Sequence, residues 1–149
     1  MFRALAIFWR VAYNAARSII SYWERGVETF HGRLALTAIL YALAMGVWAT
    51  WSYFRGQGVS SNYWGALAVG EIVMLAQGLI GVLLVLTGAR PADALHFLYG
   101  VLVALAWPGV YVYTNARAGR SEAAIYAIVA FFIFGLSIRA IMTGGGLAP

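Results

Sequence analysis

Apolar residues are concentrated in four long runs, each about the length that a helix needs to cross a lipid bilayer, roughly 20 residues. The runs cover residues 34–54, 64–87, 92–113 and 122–142. Each run is followed by a short stretch that contains glycine, and some of these stretches also contain proline or asparagine. Such stretches end helices. These stretches are residues 55–58, 88–91, 115–120 and 143–146. The pattern therefore predicts four transmembrane helices.

The connections between the runs are short, so neighbouring helices are expected to run in opposite directions. Apolar residues are continuous within each run rather than alternating with polar ones, which excludes the strands of a membrane β-barrel. We therefore expect an all-α integral membrane protein. Residues 31–143 form a four-helix up-and-down bundle in this prediction, and residues 144–149 form a short tail.

The first 30 residues carry a different pattern. Their polar side chains fall within an arc of roughly 100° on a helical wheel, and apolar side chains fill the rest. The polar set is Arg3, Arg10, Asn14, Arg17, Ser21, Glu24, Arg25 and Glu28. This pattern predicts an amphipathic helix over residues 1–30 that lies in the membrane interface or packs against a partner protein.

Two alternatives to this amphipathic surface helix remain. A secretory signal is the first, although Arg10 and Arg17 interrupt the apolar core that such a signal needs. The second is a fifth membrane crossing with its arginines turned into the bundle.

Composition agrees with a membrane location. Of the 149 residues, 63% are apolar and 10% are charged, whereas a soluble domain has about 25% charged residues. The net charge of +5 comes entirely from arginine. No basic cluster interleaved with aromatic residues lies outside the apolar runs, so an anionic membrane surface is the expected partner rather than nucleic acid. The absence of cysteine excludes disulfides, thiolate-bound metals and cysteine nucleophiles.

The chain has two histidines, and each stands near the start of an apolar run. His31 precedes the first run and His96 lies about one turn into the third. The first and third helices of an up-and-down bundle are parallel, so the two imidazoles are expected at similar depth. Two facing histidines can bind a haem iron from both sides, which favours a b-type haem. The alternative is that each imidazole only bonds water, a lipid head group or a carbonyl.

Residues near the histidines fit the same interpretation. Gly100 follows His96 by one helical turn, and a small residue there leaves space for a flat macrocycle or for close helix packing. Arg33, Arg90 and Arg139 are expected on the histidine side of the membrane, where guanidinium groups can pair with haem propionates. Membrane topology and lipid phosphate explain these arginines equally well.

Two polar residues lie within the second run. Gln77 falls near the middle of the membrane, where its amide is expected to bond another helix or a ligand. Glu71 is a candidate for proton transfer or quinone binding. A protonated Glu71 in a structural contact with another helix is the favoured alternative.

The run from Gln77 through Gly81, Val85, Thr87, Gly88 and Pro91 to Leu95-His96 resembles the haem A synthase family of cytochrome oxidase assembly. The segment Glu28-Thr-Phe-His31-Gly-Arg33 is similar to the E-x-x-H-R element of that family. The resemblance implies that His31 and His96 are haem ligands, that Gln77 and Gly81 line the site, and that Glu28 matches an acid near the reactive haem.

Three functions follow as hypotheses. The first is a haem b-binding electron-transfer subunit of a respiratory or photosynthetic complex in the inner cell membrane. It would contact other subunits through residues 1–30, and a quinone is a further candidate partner. The second is a half-size, haem A synthase-like enzyme that uses Glu28. The third is a haem-free structural or assembly subunit of a membrane complex.

Overall fold

The fold is a set of four α-helices. The structure, a computed structural model, describes residues 2–145, with side chains from residue 7 onward. The helices are α1 (Phe2–Phe54), α2 (Ser61–Leu86), α3 (Leu95–Thr114) and α4 (Arg120–Gly144). No strand occurs in this part of the chain. All four helices are long and apolar enough to cross a membrane, which confirms the all-α class and indicates a multi-pass membrane protein.

The helices end at the residues that the sequence marks as breaks. The side-chain oxygen of Ser60 accepts a hydrogen bond from the backbone N–H of Tyr63 and caps the start of α2. Asn115 caps the end of α3 and adopts the left-handed conformation with φ 50°. Gly145 caps the end of α4 with φ 91°, a conformation that glycine adopts without strain. Local chemistry therefore fixes these three helix ends.

The helices are arranged as a four-membered ring. Helix α1 packs against α2 and α4, and α3 packs against the same two helices. Within the described residues, the backbones of α1 and α3 make no close approach, so these two helices occupy one diagonal of the ring. Any contact across that diagonal must be made by side chains.

Buried residues recur every three or four positions along each helix, the spacing of a stripe that faces a bundle core. On α1 the stripe is Ala38, Ala42, Met45 and Ala49. The stripes on the other helices are Tyr63, Leu67, Gly70 and Met74 on α2; Val103, Trp107, Val110 and Thr114 on α3; and Ala123, Tyr126, Ala130, Ile133 and Ser137 on α4. Apolar side chains outside these stripes are largely exposed, as expected where lipid covers them.

Gly70 allows the largest core side chain to fit. Trp107 is 0% exposed. A Cβ atom at Gly70 would lie 2.5 Å from Cζ3 of Trp107 and 2.6 Å from Cε1 of Tyr41. Tyr41 also donates its hydroxyl hydrogen to the carbonyl oxygen of Ala66 at 2.6 Å. The missing side chain at Gly70 therefore gives two aromatic rings, from α1 and α3, their place against α2.

Hydrogen bonds connect the chain at both ends of the bundle. At one end, the Val59 N–H donates to the Ala118 carbonyl oxygen at 2.9 Å, so the α1–α2 and α3–α4 connections touch. At the other end, the Asp93 N–H donates to the Thr143 carbonyl oxygen at 2.9 Å. The start of α3 is thereby attached to the end of α4.

The first part of α1 extends beyond the packed bundle. No side chain from Ile7 to Phe30 is buried, a length of about 36 Å at the rise of an α-helix. Trp9 and Trp23 are 69% and 70% exposed. The sequence predicts a separate segment over residues 1–30, but α1 continues through residue 30 without a break. The side chain of Arg3 and residues 146–149 of the expected tail lie outside the described part of the chain.

We expect Gly70→Ala to destabilise the protein by about 1–3 kcal/mol, because the new methyl group overlaps the Trp107 and Tyr41 rings. The midpoint of thermal unfolding in detergent, followed by circular dichroism, measures the effect. Gly78→Ala is the matched control on the same helix, since a Cβ there meets no atom within 4 Å. Equal midpoints for the two variants would contradict the packing described for Gly70.

Candidate functional site

The two histidines of the chain meet across the diagonal of the bundle. The ring centroids of His31 on α1 and His96 on α3 are 6.3 Å apart, and the ring planes are tilted by 59°. Both residues lie toward the bundle end where α2 and α4 finish, and both are half-buried. Side chains therefore make a contact at this level that the backbones of α1 and α3 do not make.

His96 is held by α4. Its Nδ1–H donates to the carbonyl oxygen of Ala140 at 2.8 Å. A carbonyl can only accept, so Nδ1 carries the proton and Nε2 of the neutral ring carries the lone pair. Gly144 lies against the same ring, since a Cβ there would be 3.0 Å from both Cε1 and Nδ1. Helix α4 thus sets the orientation and the proton position of this imidazole.

His31 is held by α2. The side-chain nitrogen of Gln77 lies 3.3 Å from Nε2 of His31 and donates to the His31 backbone carbonyl oxygen at 3.1 Å. Gly81, one turn further along α2, leaves room for the ring, because a Cβ there would be 3.3 Å from Cε1 of His31. Nδ1 of His31 is buried and has no hydrogen-bond partner among the described residues.

The separation of the rings suits coordination of one metal ion by both. Two imidazoles that bind a metal from opposite sides have ring centres about 6 Å apart, since each metal–nitrogen bond is about 2 Å and each nitrogen lies about 1 Å from its ring centre. Within residues 2–145 no group of three or more histidine, cysteine or acidic side chains could hold a metal ion. Two protein ligands are too few for a bare metal ion, so the donor set fits a metal that brings its other ligands with it, as haem iron does.

The three arginines expected near the site are exposed. Arg33 lies two residues after His31, and Arg139 directly precedes Ala140, with its guanidinium carbon 5.9 Å from the centre of the Tyr99 ring. Arg90 donates to the carbonyl oxygens of Val85 and Ala89 at 3.1 and 3.2 Å, which closes the end of α2. All three belong to the bundle end that contains the histidines.

The remaining candidate residues do not join the histidine pair. Gly100 is exposed, and a Cβ there would meet no atom within 4 Å. Glu28 is exposed on the N-terminal part of α1. Glu71 is half-buried, with Oε2 buried and without a hydrogen-bond partner in the described residues. It precedes Gln77 by six residues, about 9 Å along α2.

Sequence reasoning missed two residues of the site, Ala140 and Gly144. Ala140 acts through its backbone carbonyl, and its side chain gives no signal of that role. Gly144 belongs to a glycine stretch that the sequence pattern assigns only to the end of the fourth helix. The clue available was its position, because the end of the fourth helix is expected beside the start of the third.

Comparison with known proteins gives no relative for this chain. No family model matches the sequence, and neither a curated protein nor a solved structure is similar enough to count as a match. The resemblance to the haem A synthases therefore stays a prediction. The case for a function depends on the geometry of the histidine pair.

We expect Gly144→Ala to shift the NMR signal of His96 more than that of His31, because the atoms nearest to the new methyl group all belong to the His96 ring. The chain has two histidines, so a spectrum of the ring Cε1–H groups contains two signals. Gly81→Ala is expected to do the reverse, and Gly78→Ala is the control that moves neither. A His31 signal that moves more than the His96 signal in Gly144→Ala would contradict this placement.

Proposed function

We propose that the protein binds one b-type haem between His31 and His96 and acts as an electron-transfer subunit in a membrane complex. The observation that carries this proposal is the approach of the two imidazoles across the bundle diagonal, with ring centres 6.3 Å apart. That distance suits one iron ion between two nitrogens. The His31 ring lies against Gly81 and the His96 ring lies against Gly144. The absence of a side chain at these two positions leaves room for the rings.

The surroundings of His96 support the proposal. A histidine that binds a metal through one nitrogen usually donates the hydrogen of its other nitrogen to a carbonyl or carboxylate. The bond from Nδ1–H of His96 to the Ala140 carbonyl oxygen has this form and leaves Nε2 available to iron. Arg33, Arg90 and Arg139 are the candidate partners of the propionates, with Arg33 the first choice.

The proposal includes an up-and-down order of the four crossings. The short connections support it, and so do the hydrogen bonds that link the start of α3 with the end of α4. In this arrangement α1 and α3 are parallel, and both histidines belong to the same membrane face.

The role of electron carrier follows from the ligand set. A bis-imidazole haem supplies a reversible one-electron change at the iron, with both protein ligands retained. The chain itself holds the two rings, His31 through Gln77 and His96 through the Ala140 carbonyl. Electron donors and acceptors must come from other molecules, so we propose neighbouring subunits of an inner-membrane complex, with a quinone as a candidate small partner.

We propose that the N-terminal part of α1 is an amphipathic segment at the membrane interface that also contacts those subunits. Because α1 is helical through residue 30, this location requires the helix to bend where it enters the bundle. Its exposed tryptophans, Trp9 and Trp23, support this location, because tryptophan prefers the level of the lipid head groups. The arginines of residues 1–30 add attraction to anionic lipid.

Purified protein from haem-replete cells is expected to show the low-spin absorption spectrum of a bis-imidazole haem. His31→Ala and His96→Ala should each abolish this spectrum, and added imidazole should restore part of it. Phe30→Ala and Leu95→Ala are the controls, since these exposed neighbours precede the two histidines and should leave the haem in place. Colourless wild-type protein would defeat the proposal, and extracted haem O or haem A would indicate haem modification instead.

The interfacial location of residues 1–30 has a separate test in sealed vesicles. The chain has no cysteine of its own, so Arg10→Cys and Arg17→Cys give unique labelling sites. We expect a membrane-impermeant reagent to label both from one side and a Gln57→Cys variant from the other. Unlabelled cysteines at positions 10 and 17 would support a membrane crossing by this segment instead.

A further inference from the structure

Gln77 makes two contacts with the same residue of α1. Its side-chain nitrogen donates to the backbone carbonyl oxygen of His31 at 3.1 Å and lies 3.3 Å from Nε2 of the His31 ring. An amide NH₂ group has two hydrogens, so it can serve both acceptors at once. One side chain of α2 therefore engages both the backbone and the ring of a proposed haem ligand.

The backbone contact determines which way the amide faces. If the amide were reversed, its oxygen would lie against the His31 carbonyl oxygen, and neither atom could donate a hydrogen. The NH₂ group must then face His31, and its second hydrogen points to the ring. Nε2 of His31 is consequently the acceptor of that hydrogen bond, so the proton of the neutral imidazole is on Nδ1.

The two unpartnered atoms at this contact set no competing preference for the proton position. Nδ1 of His31 and Oε1 of Gln77 are both buried, and neither has a hydrogen-bond partner in the described part of the chain. No other hydrogen bond to the His31 ring is present among those residues. Gln77 is therefore the one described contact that can select between the two neutral forms of this imidazole.

We infer that Gln77 is a positioning residue that selects the Nδ1-protonated form of His31 in the haem-free protein and occupies the lone pair of Nε2 until a ligand replaces it. His96 has the same form, selected from the other side of the site by the Ala140 carbonyl. Nε2 is then the unprotonated nitrogen in both rings. When Nε2 of His31 bonds a metal, Gln77 gives up one hydrogen bond and keeps the other to the His31 backbone. This inference rests on the proposed haem site for its functional meaning.

A purely structural role for Gln77 makes different predictions. If the amide only ties α2 to α1 through the His31 carbonyl, its removal lowers stability but leaves the proton position on the ring unchanged. The proton position is therefore the measurement that separates the two roles. It is available without haem, from ¹⁵N NMR of histidine-labelled protein at about pH 8.5, where imidazole is neutral.

In haem-free wild-type protein we expect both histidines to carry the proton on Nδ1. Gln77→Leu removes the donor, so His31 should become a mixture of the two neutral forms while His96 stays unchanged and acts as the internal reference. Gln57→Leu is the matched control, because Gln57 is exposed in the α1–α2 connection far from the pair. Wild-type His31 protonated on Nε2, or an unchanged His31 in Gln77→Leu, overturns the inference.

Titration with haem b gives the second measurement. The hydrogen bond from Gln77 to Nε2 exists only in the haem-free protein, so it opposes haem binding by about the strength of one hydrogen bond. We therefore expect Gln77→Leu to bind haem b roughly two- to tenfold more tightly than wild type, and Gln57→Leu to bind it as wild type does. Equal affinities would overturn the inference. Wild-type protein that binds no haem would defeat the proposed function, whereas the proton position of His31 would still decide the role of Gln77 in the haem-free protein.

Discussion

A hydrocarbon environment offers no water to hydrogen-bond with buried polar atoms, and this constraint gives the few polar side chains of the bundle their significance. Five buried side-chain atoms lack a partner among the described residues: Nδ1 of His31, Oε2 of Glu71, Oε1 of Gln77, Nε1 of Trp107 and Oγ of Ser137. Two of the five belong to a single contact, between His31 and Gln77. Among the described residues, the contact between His31 and Gln77 is thus where buried hydrogen bonding is least complete.

The histidine pair repeats a packing arrangement found deeper in the bundle. Tyr41 and Trp107 also meet across the α1–α3 diagonal, with ring centroids 6.4 Å apart, and they lie against Gly70 of α2. Of the two imidazoles, that of His31 lies against Gly81, eleven residues or about three turns further along the same helix. Each layer therefore pairs one ring from α1 with one from α3 beside a glycine. The outer layer differs in having rings whose nitrogens can bind a metal.

The apolar runs and their breaks were sufficient to predict four helices, because length and hydropathy decide that outcome without tertiary detail. The continuity of α1 was not predictable, since a change in the polar face of a helix does not require a break and Gly26 and Gly32 remain helical. The packing role of individual glycines and the contacts of the histidines depend on tertiary structure. Gly70 and Gly78 look alike in sequence, but only Gly70 faces a buried tryptophan. Ala140 acts through its backbone carbonyl, a group that every residue type has, so the sequence does not indicate this contact.

The contribution of α4 to the site also affects the order of biogenesis. His31 and Gln77 belong to the first two helices, so their contact can form as soon as those helices are paired in the membrane. His96 acquires its orienting carbonyl only after the fourth helix has been synthesised and inserted. A nascent chain with three helices would hold both histidines but only one oriented ring. If the pair binds the proposed haem, loading would follow completion of the bundle, and premature capture by a partly inserted chain would be disfavoured.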